Sequence, residues 1–321
     1  GENPWQVKFG SMIHMSNDSQ LFRTYAQLTD AGAIKDGNNF YLNGVEYIPL
    51  YEGKMFWLFN HHYGKNPITG PHPDSGKLLS PSILEYQNSK SILYPYYWIP
   101  KEESGKRVIK LDKKNNITWA WKHKWLIAFR AQSKTVNERT FIVSLIPGTD
   151  CVGAGHSSTL LFEERGAMPG SLLLSMMSSL VFDFVVRQKV GGKNVSNFFV
   201  KQFPVLTPEQ IQTSGYEREI VERVARLCWF NHDLDGWMEE LRKQCPADYD
   251  LPDEPVIWNE EQRTVWQAEL DAIYAHLYGL STEDLRYILD PEDVCGKGCI
   301  NETFRVLKDR EIRELGEYRT K

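Results

Sequence analysis

The feature that most constrains this chain is a change in the spacing of its apolar residues at Pro204–Gln210. Before it, apolar residues come in short runs broken by turn signals; after it, they recur at helical spacing to the end. In the front portion, Phe40–Val45 and Glu46–Tyr51 predict two strands. Asn43-Gly44 between them predicts a two-residue hairpin turn, because both positions need positive φ. Ser91–Ile99, Trp125–Arg130 and Thr140–Ile146 predict further strands, Leu21–Leu28 a short helix, and the proline- and glycine-bearing stretch 64–81 a long loop. Gly170–Lys189 predicts one long helix with Leu172, Leu173, Met176, Leu180 and Phe184 on one face. In the rear, Tyr216–Phe230, Asn259–Tyr278, Ser281–Leu289 and Asn301–Leu315 predict helices. Capping-box patterns open two of them, Asn259-Glu-Glu-Gln262 and Ser281-Thr-Glu-Asp284, and Gly316 ends the last. The expected fold class is α+β: a mixed, β-rich front with a long helix, then a mainly α-helical C-terminal region.

Val181–Gln210 joins the two patterns. Its apolar helix runs into Arg187-Gln188-Lys189 and is expected to stop at Gly191-Gly192. Arg187 and Lys189 complement the negative end of the helix dipole. Lys193 and Asn194 follow on a turn, Asn197–Phe203 predicts a short aromatic strand carrying Lys201, and Thr207-Pro208 opens another helix. No acidic residue lies between Arg187 and Pro208. Such a cationic turn suits a phosphate backbone, and it equally describes an ordinary helix end.

Charge is divided unevenly. Residues 1–204 hold 23 Lys and Arg against 16 Asp and Glu, and residues 205–321 hold 14 against 26. The basic excess is densest in Lys101–Arg139, with 11 basic and 4 acidic residues. A net charge of −5 therefore does not exclude nucleic acid as a partner of the front portion. No run of eighteen apolar residues predicts a membrane span. The start, GENPWQVKFG, has no initiator Met and neither segment of a signal peptide, so the chain is expected to come from the middle of a longer protein. Five scattered cysteines fit a reducing cytoplasm better than a disulfide framework. Cys295 and Cys299 offer two ligands where zinc wants four, so a plain loop is expected and no metal site.

The chemistry-bearing motifs are mostly absent: no glycine-rich strand–turn–helix, no P-loop, no His-Glu-x-x-His and no Gly-x-Ser-x-Gly. Asn-Pro-Pro followed by an aromatic is also missing, and no catalytic residue is assigned. Glu52-x-Lys54 with Asp36 upstream is the minimal pattern of a magnesium-dependent nuclease core; a surface ion pair at a hairpin end explains it as well. Trp119, Trp121 and Trp125 interleave with Lys122, His123 and Lys124. Either Lys122, His123, Lys124 and Arg130 face phosphates or base edges with the rings behind them, or this is an amphipathic strand with solvated charges. His61, His62 and His72 are most simply loop and surface histidines.

Several segments in order carry a resemblance. They are Leu50-Tyr-Glu-Gly-Lys-Met55 with Phe59-Asn-His-His62, Asn137-Glu-Arg-Thr140, Val185-Val-Arg-Gln-Lys-Val-Gly-Gly192, Phe199-Val-Lys-Gln-Phe-Pro-Val-Leu206, Glu269-Leu-Asp-Ala272 with His276-Leu-Tyr-Gly-Leu280 and Tyr287-Ile-Leu-Asp290, and Gly316-Glu-Tyr-Arg-Thr-Lys321. This order resembles the C-terminal part of large adenine-N6-specific DNA methyltransferases of restriction–modification and phage-defence systems such as DISARM. The Lys201–Gln210 segment also resembles the junction that closes target-recognition domains of type I specificity subunits. The resemblance implies a connector over 1–22, a target-recognition-like α+β domain over 23–208 and a helical region over 209–321. It implies double-stranded DNA as partner, together with an upstream methyltransferase domain of the same protein. That domain would bind S-adenosylmethionine and flip the adenine, so these residues themselves hold no cofactor. Arg130, Arg139, Arg187, Lys189, Lys193 and Lys201 join Lys122 and Lys124 as expected DNA-binding residues, with Lys189, Lys193 and Lys201 on phosphates and the arginines as candidates for guanine. Glu138 and Arg139 can equally pair inside the fold. The competing expectation is a protein-interaction module of a defence complex whose acidic helical tail docks a partner; the nuclease on Glu52 and Lys54 is the third.

Overall fold

The computed structural model describes residues 3–68, 78–133, 137–148, 152–153, 158–190, 194–299 and 304–321. Its strands are β1 (Val7–Gly10), β2 (Ile34–Asp36), β3 (Asn39–Leu42), β4 (Val45–Tyr51), β5 (Trp98–Pro100), β6 (Ile109–Leu111), β7 (Ile117–Ala120), β8 (Trp125–Arg130), β9 (Val143–Pro147), β10 (Val152–Gly153) and β11 (Ser158–Glu163). Its helices are α1 (Tyr25–Asp30), α2 (Ile83–Gln87), α3 (Lys101–Arg107), α4 (Ala167–Ser178), α5 (Leu180–Lys189), α6 (Asn197–Val200), α7 (Pro208–Thr213), α8 (Glu217–Cys228), α9 (Asp235–Gln244), α10 (Glu260–Leu277), α11 (Thr282–Leu289), α12 (Pro291–Cys295) and α13 (Arg305–Leu315). The fold is α+β, as the two patterns predict.

β1, β11, β8 and β9 form, in that order, a fully antiparallel sheet. β8 and β9 are covered on both faces, which is why WLIAFR and VSLIP read as continuous runs rather than alternating ones. α4 packs against Trp125: a Cβ on Gly170 would stand 2.8 Å from the indole, so glycine sets how closely helix and sheet approach. On the other face Phe162 meets Trp119 and Trp121 edge-on at 5.2 and 5.1 Å. A second sheet runs β10-β4-β3-β2 with β5 on β4. Its β3–β4 turn is the expected one, with Asn43 at φ 50° and Gly44 at φ 79°. One continuous core reaches from Trp5 through the main sheet to Tyr274 on α10, so the sheets and the helical region share it.

Four expectations differ from the structure. The predicted long helix is two helices, α4 and α5, bent by 61° at Ser179. Ser179 is extended at ψ 152° and its hydroxyl accepts the Phe182 N–H at 3.2 Å, capping α5. The hydroxyls of Ser171, Ser175 and Ser178 donate to carbonyls one turn back, a habit that bends helices. Apolar spacing passes through this break unchanged, which hid it. Asn197–Val200, read as strand, is the short helix α6; four residues are too few for either period to decide. Of Ser91–Ile99 only Trp98 and Ile99 join a strand, since Pro95 brings no N–H to a ladder. Val7–Gly10, expected in the connector, is the edge strand of the main sheet, and the Trp5 indole donates to Leu206 O at 2.8 Å. Among the described residues no single helix is long and apolar enough to cross a membrane.

Candidate nucleic-acid interface

β6 and β7 form a separate two-stranded ribbon with Lys110 opposite Trp119. Asp112 closes its turn: the carboxylate accepts the Lys114 and Asn116 N–H groups at 2.7 and 2.9 Å and the Asn116 amide at 3.0 Å. The Asn116 side-chain bond, with these backbone bonds, holds the Asp112 carboxyl below its ordinary range. Asn115 takes φ 62°, a conformation asparagine tolerates. The acid at the turn is thereby committed to its own loop, and Lys110, Lys113 and Lys114 remain exposed. Lys122 and Lys124, just past β7, are exposed too. Among the described residues none of these five lysines has a carboxylate partner within ion-pair distance. Leu111 and Ile117 on the same ribbon are 55% and 62% exposed. Trp121 and Trp125 are buried behind them, as both readings hold. His123 does not face outward: its Nδ1 lies 2.8 Å from Glu240, which also accepts the Trp125 indole N–H at 2.9 Å.

Arg139 and Arg187 are corrected by their burial, at 8% and 3% exposure. Both point at Asp183, itself fully buried on α5. Its carboxylate accepts the Thr140 and Phe141 N–H groups at 2.9 and 2.5 Å and Arg187 Nε at 3.0 Å; Arg139 Nε lies 3.5 Å away. Arg187 also donates to the Asn137 and Glu138 carbonyls at 2.9 and 2.6 Å and stacks 4.5 Å over Phe304. Arg139 donates to Ser178 O at the α4–α5 bend. Glu138 pairs with Arg310 at 2.9 Å, not with Arg139. Neither arginine offers its guanidinium to a base. The network ties the 137–141 segment, the bend and the end of the chain together.

Arg130 stands at the far end of β8 from Lys124, about 20 Å away at the rise of a strand. Its guanidinium lies among Trp57, Tyr63 and Phe56 at 5.0, 5.6 and 5.8 Å and donates to Phe56 O. Burial pulls its pKa down to about 10. Lys189 and Lys201 are exposed, Lys201 lying 5.5 Å over Phe9. α5 ends at Lys189 with Val190 extended; Gly191, Gly192 and Lys193 lie outside the described residues. The expected site residues thus separate into a ribbon group, a turn group and a buried group. Sequence reasoning misses Lys110, Lys113 and Lys114. The signal that finds them is Asp112-x-x-Asn115-Asn116 between two short runs with lysines clustered at the turn.

The nuclease pattern does not assemble. Asp36 faces Asn39 on β3, and extending the β3–β4 register puts it opposite Ile48, two strands away and four residues short of Glu52. That separation is about 15 Å, too far to share a metal. Cys295 and Cys299 are free, and the Cys299 contact pushes the Cys295 thiol up. His61 and His62 are buried rather than on the surface, at 1% and 3% exposure; His72 lies outside the described residues.

No family model matches the chain, and no curated protein does. A solved structure of the Type IIL restriction-modification enzyme MmeI in complex with DNA is similar to it, at 12% sequence identity and a TM-score of 0.42. The similarity covers 88% of this chain and 33% of that one, so the chain spans about a third of that enzyme's length. The likeness is coarse.

Proposed function

We propose that this chain is the DNA target-recognition region of an adenine-N6-specific DNA methyltransferase of a restriction–modification or phage-defence system, and that it meets the duplex with the β6–β7 ribbon. The observation that carries the DNA contact is the set of five exposed lysines without carboxylate partners on and beside that ribbon. A two-stranded ribbon fits the major groove of B-DNA, lysines at its turn reach phosphates, and exposed apolar side chains such as Leu111 and Ile117 suit thymine methyls. The methyltransferase assignment is supported by the ordered motifs from Leu50 to Lys321. The methyl donor S-adenosylmethionine and the catalytic motif belong to the upstream domain.

The test is a fluorescence-anisotropy titration of a random-sequence duplex at low and moderate salt. Binding is expected to weaken steeply with salt. Lys113→Ala with Lys114→Ala is expected to weaken it for every sequence and to lower the slope of log affinity against log salt by about 2. An unchanged slope removes the ribbon from the interface. No binding at low salt, even with the upstream domain present, removes DNA and favours the protein-docking alternative.

A further inference from the structure

His61 and His62 sit on the loop after β4, and Asp233 lies in the turn between α8 and α9, 171 residues on from His62. Each offers one ligand atom, and the three atoms lie within 4.8 Å of one another. His62 Nε2 is 2.8 Å from the Asp233 carboxylate. His61 is 1% exposed, and its Nε2 has no hydrogen-bond partner. A buried imidazole nitrogen left unpaired costs about 1–3 kcal/mol, so an unpaired ring nitrogen beside a His–Asp pair calls for a ligand.

The surroundings hold these rings in place. Phe59, a bulky residue at φ 55°, turns the chain just before them, and Arg263 fixes its carbonyl at 3.0 Å. The Tyr51 and Tyr86 hydroxyls donate to the His61 and His62 carbonyls, each at 3.2 Å. Asn60 accepts the His62 N–H at 2.9 Å, and Asn231 accepts the Asp233 N–H at 3.0 Å. These bonds fix the backbone that carries the three side chains.

We infer that His61, His62 and Asp233 form a binding site for one divalent transition-metal ion of the zinc class, joining the loop after β4 to the helical region. Two imidazoles and a carboxylate favour such ions over magnesium or calcium, which prefer all-oxygen sites. Ligand atoms about 2.0–2.2 Å from a tetrahedral ion stand about 3.4 Å apart. The three atoms, all within 4.8 Å of one another, stand close to that spacing. The site stands whether or not the chain binds DNA.

The test is a Co2+ titration of chelator-stripped protein in which Cys295→Ser and Cys299→Ser remove the thiol pair. Visible cobalt bands saturating at one equivalent are expected, together with a rise in Tm on adding Zn2+. Asp233→Asn, at an exposed position, is expected to weaken Co2+ at least ~10-fold, and His61→Gln to abolish the bands. The absence of a saturating band, or an Asp233→Asn titration that overlays the parent's, overturns the site.

Discussion

The lysines of the β6–β7 ribbon and the arginines around Asp183 belong to the same basic half of the chain and carry the same charge, but they are in opposite situations. Lys113 and Lys114 stand in water with no ion-pair partner among the described residues, around an Asp112 whose oxygens are occupied by its own turn. Arg139 and Arg187 are buried and directed at one carboxylate, with backbone carbonyls taking further guanidinium protons. Positive charge marks a ligand surface only where it has no partner of its own. An arginine is the cation suited to burial, because its planar fork satisfies several acceptors at once.

The sharpest way to break this contrast is Arg187→Ala. It leaves the buried Asp183 carboxylate only its longer 3.5 Å contact with Arg139, and removing one member of a buried pair costs about 3–5 kcal/mol. Urea denaturation should show that loss, while the folded fraction binds duplex as before. A variant of unchanged stability with weakened DNA binding would return Arg187 to the interface.

A second effect arises beside the same network. Asp271 is half-buried and accepts the Leu180 N–H at 2.7 Å, yet desolvation raises its pKa from 3.8 to about 6. The folded state holds this proton more tightly than the unfolded chain does. Stability is therefore unpenalised below pH 4 and falls as pH rises through 6, by up to about 3 kcal/mol above that. Asp271→Asn keeps an acceptor for Leu180 and removes the titration. Its gain over the parent is expected to be near zero at pH 4 and largest at pH 7, measured by denaturant midpoints across that range. A gain that does not vary with pH would contradict the shift.

How far the sequence shows all this depends on the range of each cause. The Asn43-Gly44 hairpin and the Ser281 and Thr207 caps are decided within four residues, and they are where the sequence places them. The bend at Ser179 depends on hydroxyls that the apolar period ignores. The role of Arg187 depends on Thr140 and Phe304, and that of His62 on Asp233; such distances leave no spacing to read. For the ribbon the local signal was present in Asp112–Asn116, and it was masked because two three- to four-residue strands barely register as a period.

The smallest expected effect concerns the turn group. Lys201 lies over Phe9, which the register of β1, β11 and β8 sets opposite Ile127, two strands across and three residues along from Lys124, or about 14 Å between backbones. At 0.1 M salt that is beyond the roughly 10 Å over which exposed charges feel one another. The two groups should therefore act independently. Lys189→Ala with Lys201→Ala is expected to weaken duplex binding by a smaller factor than the ribbon pair, equally for all sequences. Combined with Lys113→Ala and Lys114→Ala, the losses in log affinity should add. Additive losses would mean that one duplex touches both the ribbon and the Lys189–Lys201 region. No loss from the turn pair would leave the ribbon alone on the DNA and make the basic helix end of α5 a solvated terminus stabilised by its own dipole.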